Sequence, residues 1–356
     1  MTVLAFIATM LFTDILFWTK RVSVKRIVIF LMAVTVSTEL VYNAKLIMTL
    51  DGGVEHFTQY AEDEMKLIGQ LQQQDGGFYR INQTSTRDVD GNKLTANYNE
   101  GIAYNYKSIS GYTSDPDRNQ LLFMKQMGYA ICGDVMNVVN TSVLGADSIL
   151  GVKYVLSSYD IPGLKKLENI EPGNGKSVYY NPYALPVAFT YESSNMLPDS
   201  EEKDEFLYQN QLFSYLSGQN VQVNKRIEAE PKADSNTVGY DVKHMDDPVY
   251  GYFNMKDKDG GKVYVDDQYV TLYNTWLCPR VVYIPQQPDA PSTHVHIDGD
   301  NRENRVESAC FYYTDLNELE KVTQKIQDRR EDGLLIQDCS ITESPESGPV
   351  IFIRSL

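Results

Sequence analysis

Cysteine, histidine and tryptophan are scarce in this chain, and the chemistry they usually support is scarce with them. Four cysteines (Cys132, Cys278, Cys310, Cys339), four histidines and two tryptophans are spread over 356 residues. No two cysteines stand in a CxxC or other ligand spacing, and their density is too low for a disulfide scaffold, although an oxidising compartment would let two of them pair. Also missing are a Walker loop, a dinucleotide fingerprint, a GxSxG elbow and HExxH, so no self-contained catalytic centre is marked. Basic residues are in deficit, with 32 Lys and Arg against 48 Asp and Glu and a net charge of −16. That balance excludes nucleic acid as an expected partner and disfavours anionic lipid surfaces.

What is present is a division of polarity. Two apolar stretches, Met1 to Trp18 and Ile27 to Leu50, occupy the first fifty residues, and a helical crossing of a bilayer needs roughly 20 such residues. The connector, residues 19–26, holds Lys20, Arg21, Lys25 and Arg26 with no acid, the bias of a short cytoplasmic loop. Both outer ends are therefore expected outside. A secretory signal would want a charged leader and a small-residue cleavage site, and neither is there. The remaining 306 residues carry 27 basic and 46 acidic side chains, a net −19.

The second stretch carries Thr35, Thr38, Glu39, Tyr42 and Asn43 at helical offsets, which form one polar stripe. Glu39 lies a little past mid-span, and an ionisable group there faces a helix bundle or a watery cavity. Two roles follow for Glu39 and Asn43: lining a substrate cavity, or hydrogen bonding between helices. Asp14, about one turn from the cytoplasmic end, reads as interfacial.

Beyond residue 50 the pattern changes twice. Val54 to Gln74 has helical composition and ends at Asp75-Gly76-Gly77; Phe78 to Ile81 reads as a strand and Asn82 to Asn97 as a polar loop. A helix is expected over Arg118 to Tyr129, strands at Val152 to Leu156 and Val178 to Tyr180, and a helix from Glu201 to Leu216 closed by Gly218. After Val221, short runs recur at Tyr250–Asn254, Lys262–Val265, Val270–Tyr273, Arg280–Ile284, Thr293–Ile297 and Ala309–Tyr313, with one helix over 316–330. Regular short strands with turns between them suggest an antiparallel sandwich or jelly roll. The expected architecture is thus a membrane α-helical hairpin (1–50), an extracytoplasmic α+β region (51–218) and a β-sandwich or jelly-roll-like domain (219–356). The apolar start at Met1 and the unpaired apolar strand at Pro349 to Leu356 lead us to expect a piece of a longer polytopic protein.

Candidate chemistry is thin. His294-x-His296 shares one strand face but lacks a third ligand, and Asp298-Gly299-Asp300-Asn301 lacks the rest of a calcium loop, so both read as structural. Asn82-Gln83-Thr84 and Asn140-Thr141-Ser142 match the N-glycosylation sequon, which arises often by chance. Tyrosine is abundant, at 25 residues, and Tyr98, Tyr104, Tyr106 and Tyr112 alternate with Asn97, Asn99, Asn105 and Ser108 to Ser114. Aromatic faces beside amides and hydroxyls suit sugars, which makes Asn99, Tyr104, Tyr106 and Tyr112 candidate ligand contacts; half-buried strand tyrosines are the plainer account.

Several strings, in this order along nearly the whole chain, resemble the bacterial YfhO family of membrane proteins. They are Glu39-Leu40-x-x-Asn43, Phe78-Tyr79-Arg80-Ile81, Tyr106 to Ser114, Leu150 to Val155, Tyr180-Asn181-Pro182-Tyr183-Ala184-Leu185-Pro186, Gln209 to Phe213, and Tyr312-x-x-Asp315-x-x-x-Leu319. The resemblance implies a polytopic protein of GT-C glycosyltransferase architecture in the bacterial cell membrane. Such a protein takes a sugar from a polyprenyl-phosphate donor outside the membrane and passes it to an envelope glycopolymer such as lipoteichoic acid. The family's catalytic acid is expected in an early outward loop upstream of Met1, so no residue of this sequence is assigned as catalytic. The resemblance leaves room for a divalent cation in the complete protein, but no cofactor or metal residue is identified here. Two other classes stay open: a membrane-anchored carbohydrate-binding or scaffold module without turnover, and a transporter, which so large an outer domain disfavours.

Overall fold

The structure, a computed structural model, describes residues 2–50, 54–84, 99–112, 115–132, 136–138, 141–189, 198, 202–233, 238–255, 261–273, 281–299 and 306–328. The chain separates into two compact units, Met1–Glu62 and Asp63–Leu356.

The first unit contains α1 (Thr2–Trp18) and α2 (Val22–Leu50), which pack against each other. Within α2, Val22–Ile47 is long and apolar enough to cross a membrane, and the shorter apolar run of α1 is Ala5–Trp18. The connector is tighter than expected, because α2 already begins at Val22 and takes Lys25 and Arg26 into its first turns. Lys and Arg are good helix formers whose long side chains reach an interface without leaving the helix.

α3 (Val54–Gln74) has the expected bounds and runs from the first unit into the second. There follow β1 (Arg80–Gln83), α4 (Glu100–Ala103), β2 (Gly111–Tyr112), α5 (Arg118–Gln126), β3 (Ala130–Cys132), β4 (Met136–Val138) and α6 (Leu144–Ile149). Next come β5 (Val152–Ser157), β6 (Lys165–Lys166), β7 (Ser177–Tyr180), α7 (Glu205–Ser217), β8 (Asn224–Ile227), β9 (Ala229–Ala233) and β10 (Val238–Lys243). The described part ends with β11 (Val249–Met255), β12 (Gly261–Val265), β13 (Gln268–Tyr273), β14 (Val281–Ile284), β15 (Ser292–Gly299), β16 (Val306–Thr314) and α8 (Leu316–Asp328).

The second unit is layered. Leu67, Ile68 and Leu71 of α3 pack on the sheet β1-β5-β7-β6, in which β1 and β5 run parallel. On β5, Tyr154 and Leu156 face that helix while Val155 faces a larger cluster. This larger cluster holds residues of α6, α7 and α8 and then one face of a second sheet, β14-β11-β16-β8. Alternation makes the second sheet two-sided: Val281, Tyr283, Tyr250 and Tyr312 point to the helices, whereas Val282, Ile284, Val249 and Phe311 point the other way. Those residues meet Val263, Val265, Val295 and Ile297 from the outer sheet β13-β12-β15-β10-β9. The expected sandwich is therefore met as two antiparallel sheets around one core, with no closed barrel among the described residues. Residues on both sides of Gly218 share the helix-lined cluster, because a sheet buried on both faces needs a cover for each.

Helix ends are capped as the sequence allows. The Asp204 carboxylate accepts from the Phe206 and Leu207 amides at 3.0 and 3.1 Å, and Gly218 closes α7 at φ +66°. Asp315 caps α8 through the Glu318 amide at 3.0 Å and pairs with Lys225 at 2.6 Å. A small sheet, β2-β4-β3, was not anticipated, since its strands are only two or three residues long.

Candidate functional site

In the membrane unit, the polar stripe of α2 splits into two kinds of residue. Thr35 and Thr38 donate to the carbonyls of Leu31 and Val34 at 2.9 and 2.8 Å. Their hydroxyls are satisfied by the helix itself, as Thr permits at i−4. Glu39 and Asn43, on the same stripe, are neighbours at i, i+4.

In the second unit, the other four expected contacts form one small structure. Asn99 sits in the left-handed region at φ 51°, which Asn tolerates. Its side-chain oxygen accepts from the Tyr112 amide at 2.9 Å and its nitrogen donates to the Tyr112 carbonyl at 3.0 Å. One side chain thereby imitates a strand partner for β2. Tyr104 ends α4, with its amide donating to the Glu100 carbonyl at 2.8 Å. The chain folds back so closely that a Cβ on Gly101 would lie 2.7 Å from the Tyr106 carbonyl oxygen. Tyr112 is 47% exposed, whereas Tyr106 is buried within the cluster under α3. Of the three tyrosines, Tyr112 is the most exposed.

Beneath this structure runs a file of buried polar side chains. Lys176 on the turn before β7 and Glu64 on α3 are 1% and 0% exposed and pair at 2.8 Å. The Asn174 amide donates to the same carboxylate at 2.8 Å. Lys176 also donates to Gln83 Oε1 at 2.6 Å, and Gln83 Nε2 donates to the Tyr106 hydroxyl at 2.6 Å and to Glu100 Oε2 at 3.1 Å. None of Glu64, Gln83, Glu100 and Lys176 stood out in the sequence. Their partners are up to 112 residues away, and the one local signal was a polar run, Asn82-Gln83-Thr84, continuing an apolar strand.

That run is not a surface sequon. Asn82 is 1% exposed and donates to Asp147 at 3.0 Å and to the Thr141 carbonyl at 3.0 Å. Asp147, fully buried on α6, also accepts from Tyr129 at 2.6 Å and Ser142 at 2.5 Å. Burial pushes its carboxyl up to about 6 against the pull of these three donors. The second sequon begins at Asn140, outside the described residues.

Residues 1–330 match the family described as Bacterial membrane protein YfhO. The chain belongs to this family. With the membrane-length span in α2, membership establishes association with a membrane. No curated protein and no solved structure matches the chain.

The strings that carry the resemblance to YfhO proteins are mainly fold-forming. Asn181 donates to the Val152 carbonyl at 3.0 Å while its oxygen accepts from the Tyr183 amide at 3.0 Å, pinning the Asn-Pro-Tyr turn to β5. Gly151 holds φ +70°, and Lys153 pairs with Asp75, which also accepts from Tyr154 at 2.8 Å. Asn210 exchanges two hydrogen bonds with the Asn224 backbone, and Gln209 reaches the Met127 carbonyl at 3.2 Å. Tyr312 donates to the Asp204 cap at 2.5 Å, and Leu319 is fully buried. Within the Tyr106-to-Ser114 string, Tyr106 is a buried hydrogen-bond partner of Gln83 and Gly111–Tyr112 form β2, while Thr113 and Ser114 lie outside the described residues.

His294 and His296 lie 5.6 Å apart on the outer sheet; His294 bonds Asp241 at 2.8 Å and His296 stacks on Tyr264 at 5.0 Å. Among the described residues no group of three or more His, Cys, Asp or Glu is placed to hold a metal ion. Cys310 is a free thiol. Asp300 and Asn301 of the acidic turn lie outside the described residues.

Proposed function

We propose that this chain is the membrane-anchored outer portion of a GT-C type glycosyltransferase, which moves a sugar from a polyprenyl-phosphate donor to an envelope glycopolymer such as lipoteichoic acid. The observation that carries the reading is Glu39. An ionisable side chain past the middle of a membrane-length helix needs polar surroundings within the bilayer, and membership of a family of bacterial membrane proteins supports reading α2 as one helix of a bundle around a polar cavity. The basic connector supports an outer location for the large acidic unit, where such donors and acceptors meet. The unit supplies acceptor contacts. A divalent cation, if the complete protein uses one, is held by residues outside this assignment.

Membranes carrying the complete gene product, given a radiolabelled polyprenyl-phosphate hexose and lipoteichoic acid, should move label into the polymer; membranes without it should not. Equal labelling in both refutes the transferase reading. Protease added to intact protoplasts should degrade the chain after Leu50 and spare the Lys20 to Arg26 connector, and protection of the large unit would refute the topology. A second reading, a binding module without turnover, is favoured by the open Tyr112 ring held beside Asn99.

A further inference from the structure

We propose that the basic connector between α1 and α2 binds an anionic phospholipid headgroup through Arg21, Lys25 and Arg26, beside Trp18. The proposal goes beyond the transferase reading and does not depend on it.

The starting point is an imbalance of charge. Residues 1–50 hold five basic and two acidic side chains, whereas the rest of the chain is net −19. Four of those five bases, Lys20, Arg21, Lys25 and Arg26, fall within seven residues, and the nearest acids along the sequence are Asp14 and Glu39. All four are exposed. Among the described residues no ion pair includes any of them. The Lys25 amide donates to the Arg21 carbonyl at 3.1 Å, so helical geometry holds these two cations at i and i+4, where like charges repel. An anion seated between them removes that repulsion.

The surroundings select the anion. Trp18 ends α1 and α2 begins at Val22, so chain length alone keeps Trp18 within about 11 Å of Arg21. Phe17 and Trp18 are 83% and 80% exposed, and their rings meet edge to face at 5.8 Å. Open aromatic rings at the end of a membrane span belong at headgroup depth, and Val22–Ile47 is long and apolar enough to be that span. Lys and Arg carry their charges to the same level on long apolar stems. The planar guanidinium takes two phosphate oxygens at once. A zwitterionic headgroup brings its own ammonium, which these cations repel, whereas phosphatidylglycerol brings only the negative phosphodiester.

The test uses the full chain carrying Trp276→Phe, so that Trp18 is its only indole. It is reconstituted in phosphatidylcholine vesicles doped with bromine-labelled phosphatidylglycerol or bromine-labelled phosphatidylcholine, and quenching of Trp18 fluorescence is read. Label in both leaflets makes the reading indifferent to the direction of insertion. Phosphatidylglycerol should be preferred by at least about tenfold, since each cation near an anionic lipid surface contributes roughly fivefold. Lys25→Gln/Arg26→Gln should bring the two lipids to near parity, Lys25→Arg should keep the preference, and raised salt should weaken it. Equal quenching by both lipids in the parent chain, or a preference unchanged in the double variant, overturns the proposal. Loss of the preference to excess inorganic phosphate at constant ionic strength overturns it too, because the site would then read a free anion. Each of these results leaves the label-transfer assay to succeed or fail on its own.

Discussion

Replacing Lys176 by Met removes the cation paired with Glu64, and among the described residues no other basic side chain is paired with that carboxylate. Both side chains are essentially inaccessible, at 1% and 0%, so solvent screening does not soften the change. Breaking a buried pair by deleting one partner costs about 3–5 kcal/mol. Glu64 would keep only the Asn174 amide among these donors, and Gln83 Oε1 would lose its donor, a further ~1 kcal/mol. For a unit of this size a loss of about 4 kcal/mol lowers the melting temperature by on the order of 10 °C. The double variant Glu64→Leu/Lys176→Met removes both charges, and its loss should fall well below the sum of the two single losses. The assay is thermal unfolding of the full chain in detergent, followed by near-ultraviolet circular dichroism of its tyrosines. A Lys176→Met melt within 1–2 °C of wild type, or a double variant whose loss equals the sum of the singles, would show that the pair is not the coupled, desolvated unit argued above.

Three further outcomes are expected. Asp147 has a folded-state carboxyl raised to about 6, above the ordinary 3.8, so its contribution is fully present below about pH 4 and is lost as pH rises toward 6. The difference is about 3 kcal/mol; urea midpoints should fall across that window in wild type and stay flat relative to it in Asp147→Asn, and parallel profiles would contradict the assignment. Gly163 has φ +88° and its Cβ would lie 2.6 Å from Leu316 Cδ2, so Gly163→Ala should destabilise by about 2–4 kcal/mol from backbone strain and overpacking together, measured by the same melts. Asn99→Ala should cost about 1–2 kcal/mol locally and accelerate amide exchange at Tyr112, while an unchanged Tyr112 amide would mean that the Asn99 staple does not hold β2.

Local rules carried the element assignments. The amphipathic pattern of α3, the Asp204 and Gly218 caps of α7, the strands β11 to β16 and the apolar span of α2 are written in neighbouring residues, because helix period, strand alternation and capping act over a few positions. Charge bias in the connector likewise needs only composition. The shortest pieces, β2, β3, β4, β6 and α4, escaped because two to four residues hold too little pattern, and α6, β8, β9 and β10 were not expected from the sequence either.

The tertiary structure decided which polar residues matter. Tyr106, one of a row of tyrosines in the sequence, became a buried hydrogen-bond partner, while Tyr112 from the same row kept its ring open. Asn82 passed from sequon to core ligand of Asp147. Glu64, Gln83, Glu100 and Lys176, unremarkable one by one, became a single file because α3, β1, α4 and the turn before β7 converge on one point. Partners separated by a hundred residues have no shared local signature, and burial, which turns a common ion pair into a costly and therefore informative one, exists only once the chain has folded.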